Sequence, residues 1–287
     1  MVLEDNKHSI GAQKQSKIRF IKRWRVLLFV GLLSLLFLVF ALLFTLQYFP
    51  ITQNYSKQYL KRVSKFINIG IPAQQDTIFT SNSFVVHGID VSHHNKLIDW
   101  NLVKYISKST DTLSFVFIKA TEGRDHLDTL FLYNWESSKR TNLIRGAYHY
   151  FKTNVPAETQ AKLFIERVPL TSGDLPPVID VEESRFGWKY ALEFEVLKMA
   201  RVLEDHYKVK PIIYISHNYY ELYFNTPLFA SYPFWIARYN NHHRLLNLDF
   251  WKFWQHTEVG SVGGVKGAVD INVFVGSFEE LKAITLK

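Results

Sequence analysis

Between Val26 and Leu46 the chain reads VLLFVGLLSLLFLVFALLFTL, 21 residues without a charge. As a helix that run would extend about 31 Å, enough to cross the hydrocarbon core of a bilayer. It is apolar on every face, whereas a helix packed on a soluble core keeps a polar side. The pattern predicts one transmembrane helix. A cleaved signal peptide would have a shorter apolar region of about 7 to 15 residues and a small-x-small site. Leu46-Gln47-Tyr48-Phe49-Pro50 offers no such site. Residues 47–83, polar and basic, read as a stalk.

From Phe84 the pattern changes. Short apolar or β-branched runs recur at 84–92, 113–120, 143–151, 176–182, 211–216, 233–239, 251–257 and 269–276, and predict eight strands. Residues 128–142, 156–168 and 187–207 place apolar side chains three and four apart, which predicts helices with one buried face. Alternating strands and helices imply parallel pairing, and eight such units imply an α/β fold closed into a (β/α) barrel. The last three strands follow one another too closely for full helices, so the C-terminal third is expected to depart from a regular barrel. The domain reading is a basic N-terminus at 1–25, the span at 26–46, the stalk at 47–83 and one folded body at 84–287.

Charge refines this picture. The net charge of +8 resides in the leader: residues 1–76 carry eleven Lys/Arg against three Asp/Glu, and residues 77–287 carry 23 of each sign. A neutral body argues against a nucleic-acid partner. Seven Lys/Arg precede the apolar span and four follow it in the stalk, so the positive-inside bias predicts a cytoplasmic N-terminus and an extracytoplasmic body. The absence of cysteine excludes disulfides, thiol nucleophiles and thiolate metal sites.

The candidate chemistry lies at strand ends, where barrels of this type gather their functional groups. LPPVIDVEE, residues 175–183, ends an apolar strand with Asp180, Glu182 and Glu183. Alternation puts 180 and 182 on one strand face and Glu183 on the other. Two close carboxylates do not both ionise cheaply, so the pair tends to keep a proton, which suits a general acid in glycoside cleavage. Solvated strand-end acids would show the same spacing. Asp90 ends the first strand and Asp270 lies near the start of the eighth, which neighbours the first in a closed barrel.

The segments HGIDVSHHN followed by IDW, then FVFIKATEG, RGAYHYF, PPVIDVE, IIYIS, FWIARY, FWQHT and VDINVF, in this order from His87 to Phe274, resemble glycoside hydrolase family 25, the N-acetylmuramidase lysozymes. The resemblance implies a modified barrel whose later strands lack full helices. It also implies cleavage of the β-1,4 bond between N-acetylmuramic acid and N-acetylglucosamine in peptidoglycan. Glu182 would be the proton donor and Asp180 its partner, with Asp90 and Asp270 completing the acidic cluster. Two routes stay open, internal attack by the substrate's acetamido group and direct action of a carboxylate.

In the matching segments Tyr148, Tyr214 and Trp235 are candidates for the sugar groove, although each would also suit a core. Lys119 ends an apolar strand, where a lone cation needs an acidic partner, and is read as a partner of the cluster. Gln255 is a candidate amide contact. No metal or other cofactor is expected: His93 and His94 are adjacent and face opposite ways on an extended strand, and hydrogen-bonding roles suit His94 and His149 better. The stretch GSVGG at 260–264 lacks the Lys-Ser/Thr of a phosphate loop and reads as a turn. The reading is a peptidoglycan hydrolase held at the membrane. The alternative is a noncatalytic glycan-binding or envelope-scaffold protein on the same barrel.

Overall fold

The computed structural model describes residues 78–79, 84–107, 109–182, 189–239, 245–246 and 251–287, all within one compact unit, Pro72–Lys287. The predicted span at 26–46 and Glu183 lie outside the described residues. Among those residues no helix is long and apolar enough to cross a membrane.

Eight strands form a closed barrel: β1 (Val86–Val91), β2 (Leu113–Glu122), β3 (Ile144–Tyr150), β4 (Val178–Val181), β5 (Ile212–Ser216), β6 (Phe234–Ala237), β7 (Trp251–Gly260) and β8 (Val269–Phe274). Neighbours pair in parallel from β1 through β7, and β8 closes the ring between β7 and β1. The expectation of parallel pairing fails at that last strand, because β8 runs antiparallel to both neighbours. Helices α1 (Phe131–Ser138), α2 (Ala157–Arg167) and α3 (Lys189–Tyr207) fill the connections after β2, β3 and β4. Among the described residues after β5 come short turns of helix at 217–224, and a last helix, α4 (Phe278–Ala283), follows β8. Two short strands, Ile78–Phe79 and Leu245–Leu246, pair outside the barrel.

Prolines mark where strands begin. Pro177 and Pro233 lack an N–H, yet their carbonyls accept from Ile212 and Ile213 at 2.9 and 3.0 Å, so each enters the ladder as an acceptor. Strand alternation then divides the core into two layers. Outward residues such as Ile89, Val116, Ile179, Ile213 and Ile236 pack with the helices. Inward residues fill the barrel with aromatic rings: Phe117 stacks on Trp235 at 4.5 Å and meets Phe253 edge-on at 5.1 Å, and Phe253 meets Phe115 and Phe274 at 5.2 and 5.1 Å. Contacts of this kind contribute about 0.5–1.5 kcal/mol each beyond the area they bury.

Room for these rings comes from two inward glycines. A Cβ on Gly88 would lie 2.4 Å from the Phe115 ring, and one on Gly146 would lie 2.5 Å from Phe117. Gly88→Ala should therefore destabilise the body by about 1–3 kcal/mol, read as a lowered urea midpoint with unchanged slope. A midpoint equal to wild type would mean that Phe115 does not occupy that space.

Candidate active site

The reversal of β8 decides where the acids meet. Because β8 is antiparallel, its beginning lies at the mouth where the other strands end, and Asp270 pairs in register with Asp90 of β1. Asp90 is buried, and its Oδ2 accepts from Gln255 Nε2 and from Asn272 Nδ2, both at 2.8 Å. Gln255 is fixed in turn, its Oε1 accepting from Tyr214 OH at 2.7 Å and from Tyr239 OH. Asn272 Oδ1 accepts from the Trp235 indole N–H at 2.8 Å. Two primary amides thus hold one carboxylate, and aromatic side chains hold the amides.

Burial raises the proton affinity of Asp90, and the two amide donors and Asp270 partly offset it by stabilising the anion. Burial also raises Asp270, and the charge of Asp90 and the hydrogen bond between the two carboxyls raise it further. The pair is arranged to share a proton that rests on Asp270, since the amide N–H groups favour the charged form of Asp90.

Across the mouth, Asp180 of β4 is buried and Glu182, just past the strand end, is exposed. Burial first, and then the charge of Glu182, push the Asp180 carboxyl well above the usual carboxylate range, while Lys119 pulls it back. Among the described residues the Oδ1 of Asp180 is buried without a hydrogen-bond partner. A buried acceptor of that kind is costly until a donor reaches it.

Lys119 pairs with an acid that the sequence reading did not single out. Its ammonium lies 2.7 Å from Glu122 Oε2 and 4.7 Å from the centre of the Tyr150 ring. Lys152 approaches the other oxygen of Glu122 at 3.3 Å. A bulge makes the first pairing possible. Lys119 pairs with Tyr148 and Thr121 with His149, so Ala120 is an extra residue that resets the alternation and returns Glu122 to the side of Lys119.

All nine residues predicted for the site line one cleft of about 340 Å³: Asp90, Asp180, Glu182, Asp270, Lys119, Tyr148, Tyr214, Trp235 and Gln255. Their depths differ. Trp235 and Tyr214 are 2% and 7% exposed, so they form the floor and orient the amides rather than offering a free face to a sugar. Tyr148 is half-buried, and burial with the nearby Asp90 and Asp180 charges keeps its hydroxyl protonated. His94, Tyr150, Tyr239 and Glu258 also line the cleft. Tyr239 was within reach of sequence reasoning, as the residue two beyond Ala237 on the inward face of FWIARY. Asn272 had the matching signal, inward alternation with Asp270.

His93 and His94 lie on a short 3-10 turn, His93–Asn95, with ring centres 3.9 Å apart, and not on an extended strand with opposite directions as expected. His93 and His149 are tied into the frame. His93 Nδ1 lies 2.6 Å from Asp128 Oδ2. His149 sits between Thr121 Oγ1 at 2.8 Å and Gln160 Oε1 at 3.0 Å, and burial lowers it to about 4. Among the described residues no group of three or more His, Asp or Glu is arranged to hold a metal ion.

The raised acids have a consequence for stability. Above the ordinary carboxylate range the folded chain holds protons on Asp90, Asp180 and Asp270 that the unfolded chain has released, so their contribution to stability falls as pH rises. Asp270→Asn removes one of these protons from the balance. Its stability relative to wild type should improve by about 1 kcal/mol or more between pH 6.5 and 8.5, measured by denaturant unfolding. A constant difference across that range would mean that Asp270 is not the proton holder.

The sequence model of glycosyl hydrolases family 25 matches residues 89–265. The chain is 40% identical to YegX of Escherichia coli K12, an uncharacterized protein, over 74% of this chain and 78% of that one. It is 32% identical to lysozyme M1 of Streptomyces globisporus, over 75% of this chain and 76% of that one. A family 25 glycosyl hydrolase from Bacillus anthracis of known structure superposes with a TM-score of 0.60 at 30% identity, covering 75% of this chain and 100% of that one. A barrel with one reversed strand and a carboxylate-lined mouth thus accompanies sequence identity spread over most of the body: the chain belongs to glycosyl hydrolase family 25 and is a glycoside hydrolase.

Proposed function

We propose that this chain is a membrane-tethered muramidase that cleaves the β-1,4 bond between N-acetylmuramic acid and N-acetylglucosamine in peptidoglycan. The observation that carries the reading is the pairing of a buried Asp180 oxygen, without a hydrogen-bond partner among the described residues, with an exposed Glu182 two residues on. Peptidoglycan hydrolysis is supported by the similarity to lysozyme M1. In this reading Glu182 gives its proton to the leaving oxygen. A glycan lying over Glu182 excludes water from it and raises its hold on the proton, which meets the requirement for a general acid.

Asp180 then has the companion task. Its buried Oδ1 accepts the N–H of the substrate's acetamido group and turns the acetamido oxygen toward the anomeric carbon, so the sugar supplies its own nucleophile. Lys119, pinned by Glu122, limits how far the Asp180 proton affinity rises. Asp90 and Asp270 shape the opposite wall. The apolar run at 26–46 would anchor the enzyme with its body outside the cytoplasm, and tethering would raise its local concentration at the envelope.

With purified cell wall as substrate, Glu182→Gln should lower the release of reducing ends by about 10²-fold or more while melting as wild type does. Asp180→Asn should be comparably severe, and the double variant should lose less than the sum of the two barriers because the groups act as a unit. Full activity of Glu182→Gln would remove the proposed proton donor. For topology, protease added to spheroplasts should digest the body and leave a short N-terminal fragment. Complete protection of the body would reverse the orientation.

A further inference from the structure

We infer that Tyr239 is a sugar-stacking platform whose hydroxyl couples glycan binding to the orientation of Asp90, an inference that rests on the glycosidase reading of this cleft. The inward rings of β5 and β6 are covered, but Tyr239, just beyond β6, is 40% exposed and lines the cleft. Tyr150, half-buried in the same mouth, has ammonium groups of Lys119 and Lys152 near its ring at 4.7 and 4.9 Å, so its face is already engaged. Tyr239 carries no such cation among the described contacts. Its exposed ring is the kind of rigid, amphipathic surface on which the apolar face of a pyranose rests.

The hydroxyl end of the same side chain leads into the acidic cluster. Tyr239 OH donates to Gln255 Oε1, Gln255 Nε2 donates to Asp90 Oδ2 at 2.8 Å, and Asp90 shares a hydrogen bond with Asp270. Gln255 Oε1 has a second donor in Tyr214, which is buried and fixed by the floor. One donor to Gln255 is therefore rigid, and the other sits on the residue that a sugar would touch. A ring pressed onto Tyr239 holds its hydroxyl in place, and that directs the amide N–H of Gln255 toward Asp90. Tyr239 thus serves two ends: its face sets affinity on the β6 to β8 side of the cleft, and its hydroxyl positions an acid it does not touch.

Two variants separate these ends. With the full chain and purified cell wall, Tyr239→Ala should raise KM about tenfold by removing the platform. Tyr239→Phe should keep KM within about twofold of wild type, lower kcat several-fold and move the pH profile upward, because Asp90 is less well held as an anion. Added to Gln255→Leu, Tyr239→Phe should cost nothing further in kcat, since the chain it acts through is already broken. Equilibrium binding of soluble, un-cross-linked glycan strands, which needs no turnover, should weaken about tenfold in Tyr239→Ala and stay near wild type in Tyr239→Phe. Unchanged KM and affinity in Tyr239→Ala, at the wild-type melting temperature, would overturn the platform. Additive losses in the double variant would overturn the coupling. A wild-type chain that binds these strands through Tyr239 yet releases no reducing ends would count against the hydrolytic reading and leave the platform standing.

Discussion

Asp90 and Asp270 face each other across β1 and β8, and the site depends on how that juxtaposition is tolerated. Two carboxyls brought out of water repel each other and lose hydration, and both costs rise with burial. The fold answers with a shared proton and with two primary amides that donate to the same oxygen of Asp90. Those amides are positioned by Tyr214, Tyr239 and Trp235, and Trp235 is stacked on Phe117 in the middle of the barrel. The acidic wall is therefore continuous with the aromatic filling. A change in the floor reaches the acids through two hydrogen bonds.

Much of this was legible in the chain. Eight strands could be counted because apolar runs of strand length alternate with helical periods and begin at prolines, as at Pro177, Pro211 and Pro233. Asp180 and Glu182 were legible because alternation along β4 is unbroken, with Val178 in the barrel and Ile179 and Val181 in the outer layer. The direction of β8 was not read, since an apolar run is the same in either direction. The length of its connection held the signal. Residues 261–268 are too few for a parallel crossover, which needs a dozen or more, and their glycines suit a hairpin.

The partner of Lys119 was hidden for a different reason. Strict alternation along FVFIKATEG puts Lys119 and Glu122 on opposite faces, and only the bulge at Ala120 brings them together. A bulge arises from how two strands register, which one strand's sequence does not record. Depth was hidden likewise. Tyr214 and Trp235 were candidates for the sugar groove that would also suit a core, and whether an inward ring ends in the floor or in the open cleft depends on its height along the strand. Tyr239, only four residues beyond Trp235, is on the open side of that boundary.

The two walls of the cleft handle burial differently, and this difference bears on what a glycan would do there. On the Asp90 wall the buried carboxylate oxygen is saturated by protein donors, so a ligand has little to add at that atom. On the Asp180 wall a buried carboxylate oxygen has no donor among the described residues. An unmet acceptor of this kind costs about 1–3 kcal/mol, and a ligand N–H reaching it recovers that energy in addition to its own contacts. In the proposed reading that cost would be removed in the complex, which would sharpen discrimination in favour of a sugar with an amide at that position. A sugar bearing a hydroxyl there could also donate, but from a shorter arm and with no carbonyl oxygen to direct at the anomeric carbon. The Asp90 wall thus meets its acceptor with donors of the chain itself, whereas the Asp180 wall leaves an acceptor that a ligand would meet.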